Sequence, residues 1–191
     1  MKRLGLAVTL AAMMSTAAGI ANAHITPPVV LMSDRDALIA LLAGAQKFFV
    51  REVRLSDDER REVEKRTGWK PDEDFYRFFL GRDAGGQLVA ATVFVSDYTV
   101  HGPVRVAVAF DGRGNVNGVR VVEVTEETYS WIKPLIDRDF ARPFLGHPAT
   151  HAAYQDAKGQ DVMSHFYAQV IVGLVRRAGA LYETAVMKKA T

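Results

Sequence analysis

The stretch Val104-Arg105-Val106-Ala107-Val108-Ala109-Phe110, followed by Asp111-Gly112-Arg113-Gly114-Asn115 and the run from Val116 to Val124, decides the fold. Val104, Val106, Val108 and Phe110 alternate with Arg105, Ala107 and Ala109, the period of two expected of a strand with one strongly apolar face. Asp111 to Asn115 concentrates Gly, Asp and Asn and predicts a hairpin loop, so Val116 to Val124 returns beside the first strand. Upstream, Phe75 to Arg82 and Gln87 to Val95 read as two more strands, joined by a turn at Asp83-Ala84-Gly85-Gly86. His101-Gly102-Pro103 punctuates the entry into Val104. An antiparallel meander follows.

Working outward, Ser33 to Leu42 has a capping Ser and an Asp three residues later, with Ala37, Leu38, Leu41 and Leu42 on one face, and predicts a short helix ending near Gly44. Lys47 to Leu55, with Phe48, Phe49, Val50 and Val53, reads as a strand. Ser56-Asp57-Asp58-Glu59 is a capping box opening a charged, mostly solvated helix to about Arg66, stopped by Gly68. The pattern loosens from Thr125 to Gly159, with one short helix expected around Leu135 to Leu145. From Val162 to about Tyr182, Met163, Phe166, Val170, Leu174, Ala178 and Leu181 recur at steps of three or four, a long amphipathic helix that must cover a sheet face. Arg176, Arg177 and Lys188 near its end suit the helix dipole. The fold class is α+β: an antiparallel meander covered by a long C-terminal helix, with an N-terminal helix and strand packed on it.

The 191 residues carry no Cys, which excludes a disulfide framework, thiolate metal sites, iron–sulfur clusters and a Cys nucleophile. Met1 to Ala23 reads as a cleaved secretory signal: basic Lys2 and Arg3, an apolar run from Leu4 to Ile20, then Ala21-Asn22-Ala23. The formal charge of +2 belongs to that segment, so the chain beyond it is formally neutral. A neutral chain with no basic block carries no electrostatic footprint for nucleic acid or an anionic membrane. Residues 24–191 contain no repeat or long linker and are expected to form one domain, exported to the periplasm.

Four places carry chemistry worth testing. Cleavage after Ala23 would make His24 the first residue, presenting an amine and an imidazole that chelate copper, with His101, His147, His151 or His165 as a second ligand; a frayed terminus is the plainer alternative. His147, His151 and His165 lie near Asp156 and Asp161 in sequence, but Pro148 argues against an aligned helix face, and exposed loop histidines are expected. Glu123 to Trp131 is read as an acidic, aromatic loop leaving a rigid sheet, suited to framing a planar ring, or as an ordinary solvated loop. The start of the last helix, Gly159 to Tyr167, offers free N–H groups and the positive dipole end to a phosphate, with Ser164 as a donor; Asp161 as an ordinary cap residue is equally open. Helical phase sets His165 opposite Met163, Phe166 and Val170.

Together these stretches resemble the FMN-binding domain of the Rnf and Nqr electron-transport subunits and their exported single-domain relatives, over about Gly102 to Tyr182. His101-Gly102-Pro103-Val104-Arg105-Val106 with Asp111-Gly112 and Val116 to Val124 is similar to the family's paired strands. Glu127-Thr128 resembles its Glu-Thr-Pro-Gly stretch, and Phe140-Ala141-Arg142-Pro143-Phe144-Leu145-Gly146 the segment before the flavin motif. Asp161-Val162-Met163-Ser164 leads a long helix as the family's Asp-x-x-Ser-Gly-Ala-Thr does. His165, Phe166 and Tyr167 stand where the family has Gly-Ala-Thr, and Tyr129-Ser130 replaces the Pro-Gly, so flavin linked through a threonine is not expected.

The resemblance implies an exported electron-transfer or accessory redox component, more an electron carrier than a stand-alone enzyme, that holds FMN and meets a periplasmic or membrane redox protein. Ser164, His165 and the N–H groups near Met163 would hold the phosphate at the helix start that Asp161 leads; Glu127, Thr128 and Tyr129 would meet the ring; Tyr167 offers a phenol at the linkage position. Two alternatives stay open: a cofactor-free relative acting as a binding or assembly module, and a histidine metal or haem site.

Overall fold

A computed structural model describes residues 26–154 and 161–188, so the signal segment, His24, Asp156, Gly159 and Gln160 lie outside the described residues. The α+β expectation holds. Six strands, β1 (Pro28–Val30), β2 (Lys47–Val53), β3 (Tyr76–Arg82), β4 (Leu88–Thr99), β5 (Gly102–Phe110) and β6 (Val116–Thr125), form one antiparallel sheet in the order β1-β6-β5-β4-β3-β2. Four α-helices surround it: α1 (Asp34–Leu41), α2 (Asp57–Thr67), α3 (Glu126–Asp137) and α4 (Val162–Tyr182). A π-helical turn, Glu183–Met187, continues α4. None of the described helices is long and apolar enough to cross a membrane.

The central hairpin forms as its sequence dictates. Val104, Val106, Val108 and Phe110 point into the main core, while Ala107 and Ala109 face the other way onto α1. Asp111 closes the loop by accepting from the N–H groups of Arg113 and Asn115 at 2.8 and 2.9 Å. The capping box of α2 is present in full, and Gly68 ends that helix in the left-handed conformation, φ 68°, where a residue with a Cβ is strained. β4 runs four residues past the expected end at Val95, because Ser96 to Thr99 pair with β5 down to Thr99 opposite Gly102.

The sheet separates two cores. Its larger face, with Phe78, Val93, Val106, Val108 and Phe110, packs on α4. The smaller core sets Ala37 and Leu41 of α1 against Ala107, Ala109 and Val122.

Two expectations need correction. The stretch Glu123 to Trp131 is not a loop: β6 continues to Thr125, and α3 begins at Glu126, so the helix expected at Leu135 to Leu145 lies earlier. Thr125 accepts from the N–H of Thr128, and Thr128 accepts from the N–H of Thr125, a capping box with Thr in place of Glu. The expected span from Leu135 to Leu145 holds only the last three residues of α3 and a three-residue 3-10 turn, Arg142–Phe144. The buried stripe of α4 holds as expected in its second half, where Leu174, Ala178 and Leu181 are buried, but is rotated in its first turns. Phe166 is 43% exposed and Met163 and Val170 are only partly buried, whereas Ser164, Tyr167, Ala168 and Ile171 are buried there instead. Small and apolar residues occupy most sides of this helix, so its phase is set by what grips its first turns.

Candidate functional site

That grip comes from α3 and from the tip of the β4–β5 hairpin, and it creates the one cluster where several of the candidate residues meet. The Ser164 hydroxyl lies between two acceptors, the Trp131 carbonyl at 2.8 Å and Oδ2 of Asp161 at 2.5 Å, and its one proton is shared between them, tying the first turn of α4 to α3. One turn on, Tyr167 stacks on the Trp131 indole, ring centroids 5.6 Å apart and planes 10° apart. An offset aromatic pair contributes about 1 kcal/mol beyond its buried area. His101, at the hairpin tip, sets its ring edge against the same indole at 5.2 Å.

Polar contacts fix this aromatic group. Nδ1 of His101 lies 3.0 Å from Oε1 of Glu127, a contact that ties the hairpin tip to the first turn of α3. The Tyr167 hydroxyl lies 3.2 Å from Oγ1 of Thr99, which itself donates to the carbonyl of Gly102 at 2.9 Å. The Thr125 hydroxyl donates to the carbonyl of His101 at 2.8 Å. Burial pushes the Tyr167 phenol up from its ordinary value, against the smaller opposing effect of the Thr99 contact. Tyr167 therefore stays neutral at physiological pH, a buried anchor rather than a nucleophile.

Of the expected site residues, Glu127, Thr128, Ser164 and Tyr167 converge here, but in different roles. Glu127 is half-exposed and pairs with His101. Thr128 is fully buried and serves the α3 cap. Tyr129 packs partly buried against the main core. Asp161 caps α4, accepting from the N–H groups of Met163 and Ser164 at 3.0 Å each. The Ser164 hydroxyl and these N–H groups lower the Asp161 carboxyl below the usual carboxylate range. His165 turns toward Tyr154, ring centroids 6.2 Å apart, away from the cluster.

This arrangement tests the fit of a flavin at the head of α4. The two amides that a phosphate would need are bonded to a carboxylate, and Ser164 is 1% exposed with its hydroxyl committed. A phosphoester on Tyr167, 0% exposed, would require the ring to leave the core. The head of α4 does not fit an FMN phosphate, either bound or covalently linked.

Thr99 is not singled out by the sequence, His101 is weighed there only as a metal ligand, and Trp131 only as the end of a ring-framing loop. The signal was present in the four-residue step from Glu127 to Trp131, which shares a face once the segment is read as helix. Next to the cluster, Leu135, Phe140, Pro143, Ala153 and Tyr154 line a cleft with the side chains of Arg138, Asp139 and Arg142 at its rim. Neither Arg138 nor Arg142 has an ion-pair partner among the described residues. Asp139 sits there with φ 50°, an uncommon conformation for a residue with a side chain.

His147 and His151 do not join His165. The carbonyl of His147 accepts from the N–H of Val116 at 2.8 Å, and His151 ends a 3-10 turn, Ala149–His151. Among the described residues, no group of three or more His, Asp and Glu side chains is placed to hold a metal.

No protein-family model matches the chain, and no curated protein matches it.

Proposed function

We propose that the protein is an exported domain of FMN-binding type that serves as an accessory component of electron transport, meeting a redox partner in the periplasm or at the membrane. The observation that carries this reading is the junction of β4–β5, α3 and α4: three of the four stretches that resemble the flavin family meet through His101, Glu127, Trp131, Ser164 and Tyr167. A flavin in this protein is held by contacts alone, because the head of α4 is filled by its own cap. The Arg138–Arg142 cleft has the chemistry for it, with two guanidiniums for a phosphate and Phe140 and Tyr154 for a planar ring.

The occupied amides at Met163 and Ser164 favour a second reading, a cofactor-free relative that binds or assembles a partner. One preparation separates the two. The protein secreted from an expression host is examined for intact mass and visible spectrum, then titrated with FMN while flavin fluorescence is followed. The flavin reading expects unmodified mass and saturable quenching in the micromolar range that Arg142→Glu abolishes. No quenching up to millimolar FMN sinks it and leaves the binding module.

A further inference from the structure

We infer that strand β2 is a self-pairing edge through which two copies of this chain form one continuous sheet; the inference is independent of whether flavin binds. The two edges of the sheet are treated differently by the sequence. At one end lies β1, only three residues long and beginning with Pro27-Pro28, features that blunt an edge against further pairing. At the other end lies β2, seven residues long and, among the described residues, paired with β3 on one side only. Phe48, Phe49 and Val50 in its middle are 62%, 49% and 59% exposed. A long apolar strand with an unpaired backbone is a template for another strand.

The charges along β2 say which strand fits. When a strand pairs antiparallel with its own copy across a two-fold axis, opposite residues share a face, so the axis must pass through a residue. An axis at Phe49 sets Lys47 opposite Arg51 of the second copy, and an axis at Arg51 sets that cation opposite itself. Like charges directly opposite are destabilising. An axis at Val50, the midpoint of the strand, pairs all seven residues and opposes no like charges. Val50 meets Val50, each Phe49 meets Arg51 of the other copy with its guanidinium over the ring, and each Phe48 meets the stem of Glu52. Axes at Phe48 and Val53 also oppose no like charges but pair only three residues and one residue of the strand, so the Val50 register is the longest that the charges allow.

The absence of Cys makes the register directly measurable. Light scattering of the secreted protein at tens of micromolar is expected to give the mass of a dimer. Val50→Lys, at an exposed position, should raise the dimer Kd on the order of 100-fold while leaving the circular dichroism spectrum unchanged. Val50→Cys should form a disulfide-linked dimer within minutes of mild oxidation, because only this position meets itself; Phe49→Cys, diagonal to its own copy, should not. A wild-type monomer throughout the concentration range, a dimer that survives Val50→Lys, or equal cross-linking at both positions would overturn the proposal.

Discussion

Trp131 of α3 and Tyr167 of α4 lie stacked with planes 10° apart, and the Tyr167 hydroxyl reaches across to Thr99 at the end of β4. One side chain thus joins both helices to the sheet. Ser164 repeats the tie one turn earlier through the carbonyl of Trp131. The helix that covers the main core is therefore phased at its head, where the chain carries its hydroxyls, and not by its most apolar stripe.

Tyr167→Phe keeps the stack and removes the Thr99 contact, and should cost about 1 kcal/mol. Tyr167→Ala opens a cavity under α4 and should cost about 3–5 kcal/mol. Urea unfolding followed by Trp fluorescence measures both, and equal losses would show that the stack contributes nothing.

Gly179 lies inside α4, where replacing Gly by Ala ordinarily stabilises by about 1 kcal/mol. Here an added Cβ would stand 2.3 Å from the Cβ of Ala149 and 3.6 Å from its Cα. Gly179→Ala should therefore destabilise, by about 1–3 kcal/mol, because Ala149 sits on a short turn whose backbone must move. The double variant Gly179→Ala with Ala149→Gly should recover most of the loss in melting temperature.

At high pH the buried phenols govern stability. Burial pushes Tyr76 and Tyr182 up to about 12, and raises Tyr167 as well. A phenol whose folded value lies above its unfolded value of about 10 contributes stability that is complete below that pH and lost as pH rises through the folded value. A titration followed at 295 nm should show the buried three, Tyr76, Tyr167 and Tyr182, ionising together with unfolding between about pH 10 and 12. Ionisation of all six without loss of structure would contradict this.

At low pH the relevant pair is Asp34 and Arg105, bonded twice at 2.6 and 2.8 Å. The hydrogen bonds from Arg105 hold the Asp34 carboxyl below the usual carboxylate value. Its contribution is present above about pH 4 and is lost as pH falls through the lowered folded value. With Asp34 about half exposed, screening limits that contribution to under about 1 kcal/mol. Asp34→Asn should lower the urea midpoint at pH 7 and match the parent protein near pH 2.

The meander, the capping box of α2 and the extent of α4 were legible because each rests on local rules: alternation, turn residues and caps act within a few positions. Helix α3 was missed for a physical reason that is also local but unusual. Its N-terminal box uses Thr128 where Glu is expected, and Pro134 is its ninth residue, so the segment has the composition of a loop. The site was legible only in part, since Glu127 and Tyr167 were named but their partners His101, Thr99 and Trp131 come from other elements.

By itself the sequence determined the fold class, the order and bounds of most elements, and the apolar faces of the central strands, because these follow from periodicity and from caps that neighbouring residues supply. Tertiary structure alone decided which side of α4 is buried, that its head is closed by Asp161 and Ser164, and that β2 is left at an open edge. A helix with apolar and small residues on most sides has several nearly equivalent ways to lie on a sheet. The contacts that choose among them, Ser164 to Trp131 and Tyr167 to Thr99, join residues 33 and 68 positions apart, beyond the reach of any local pattern.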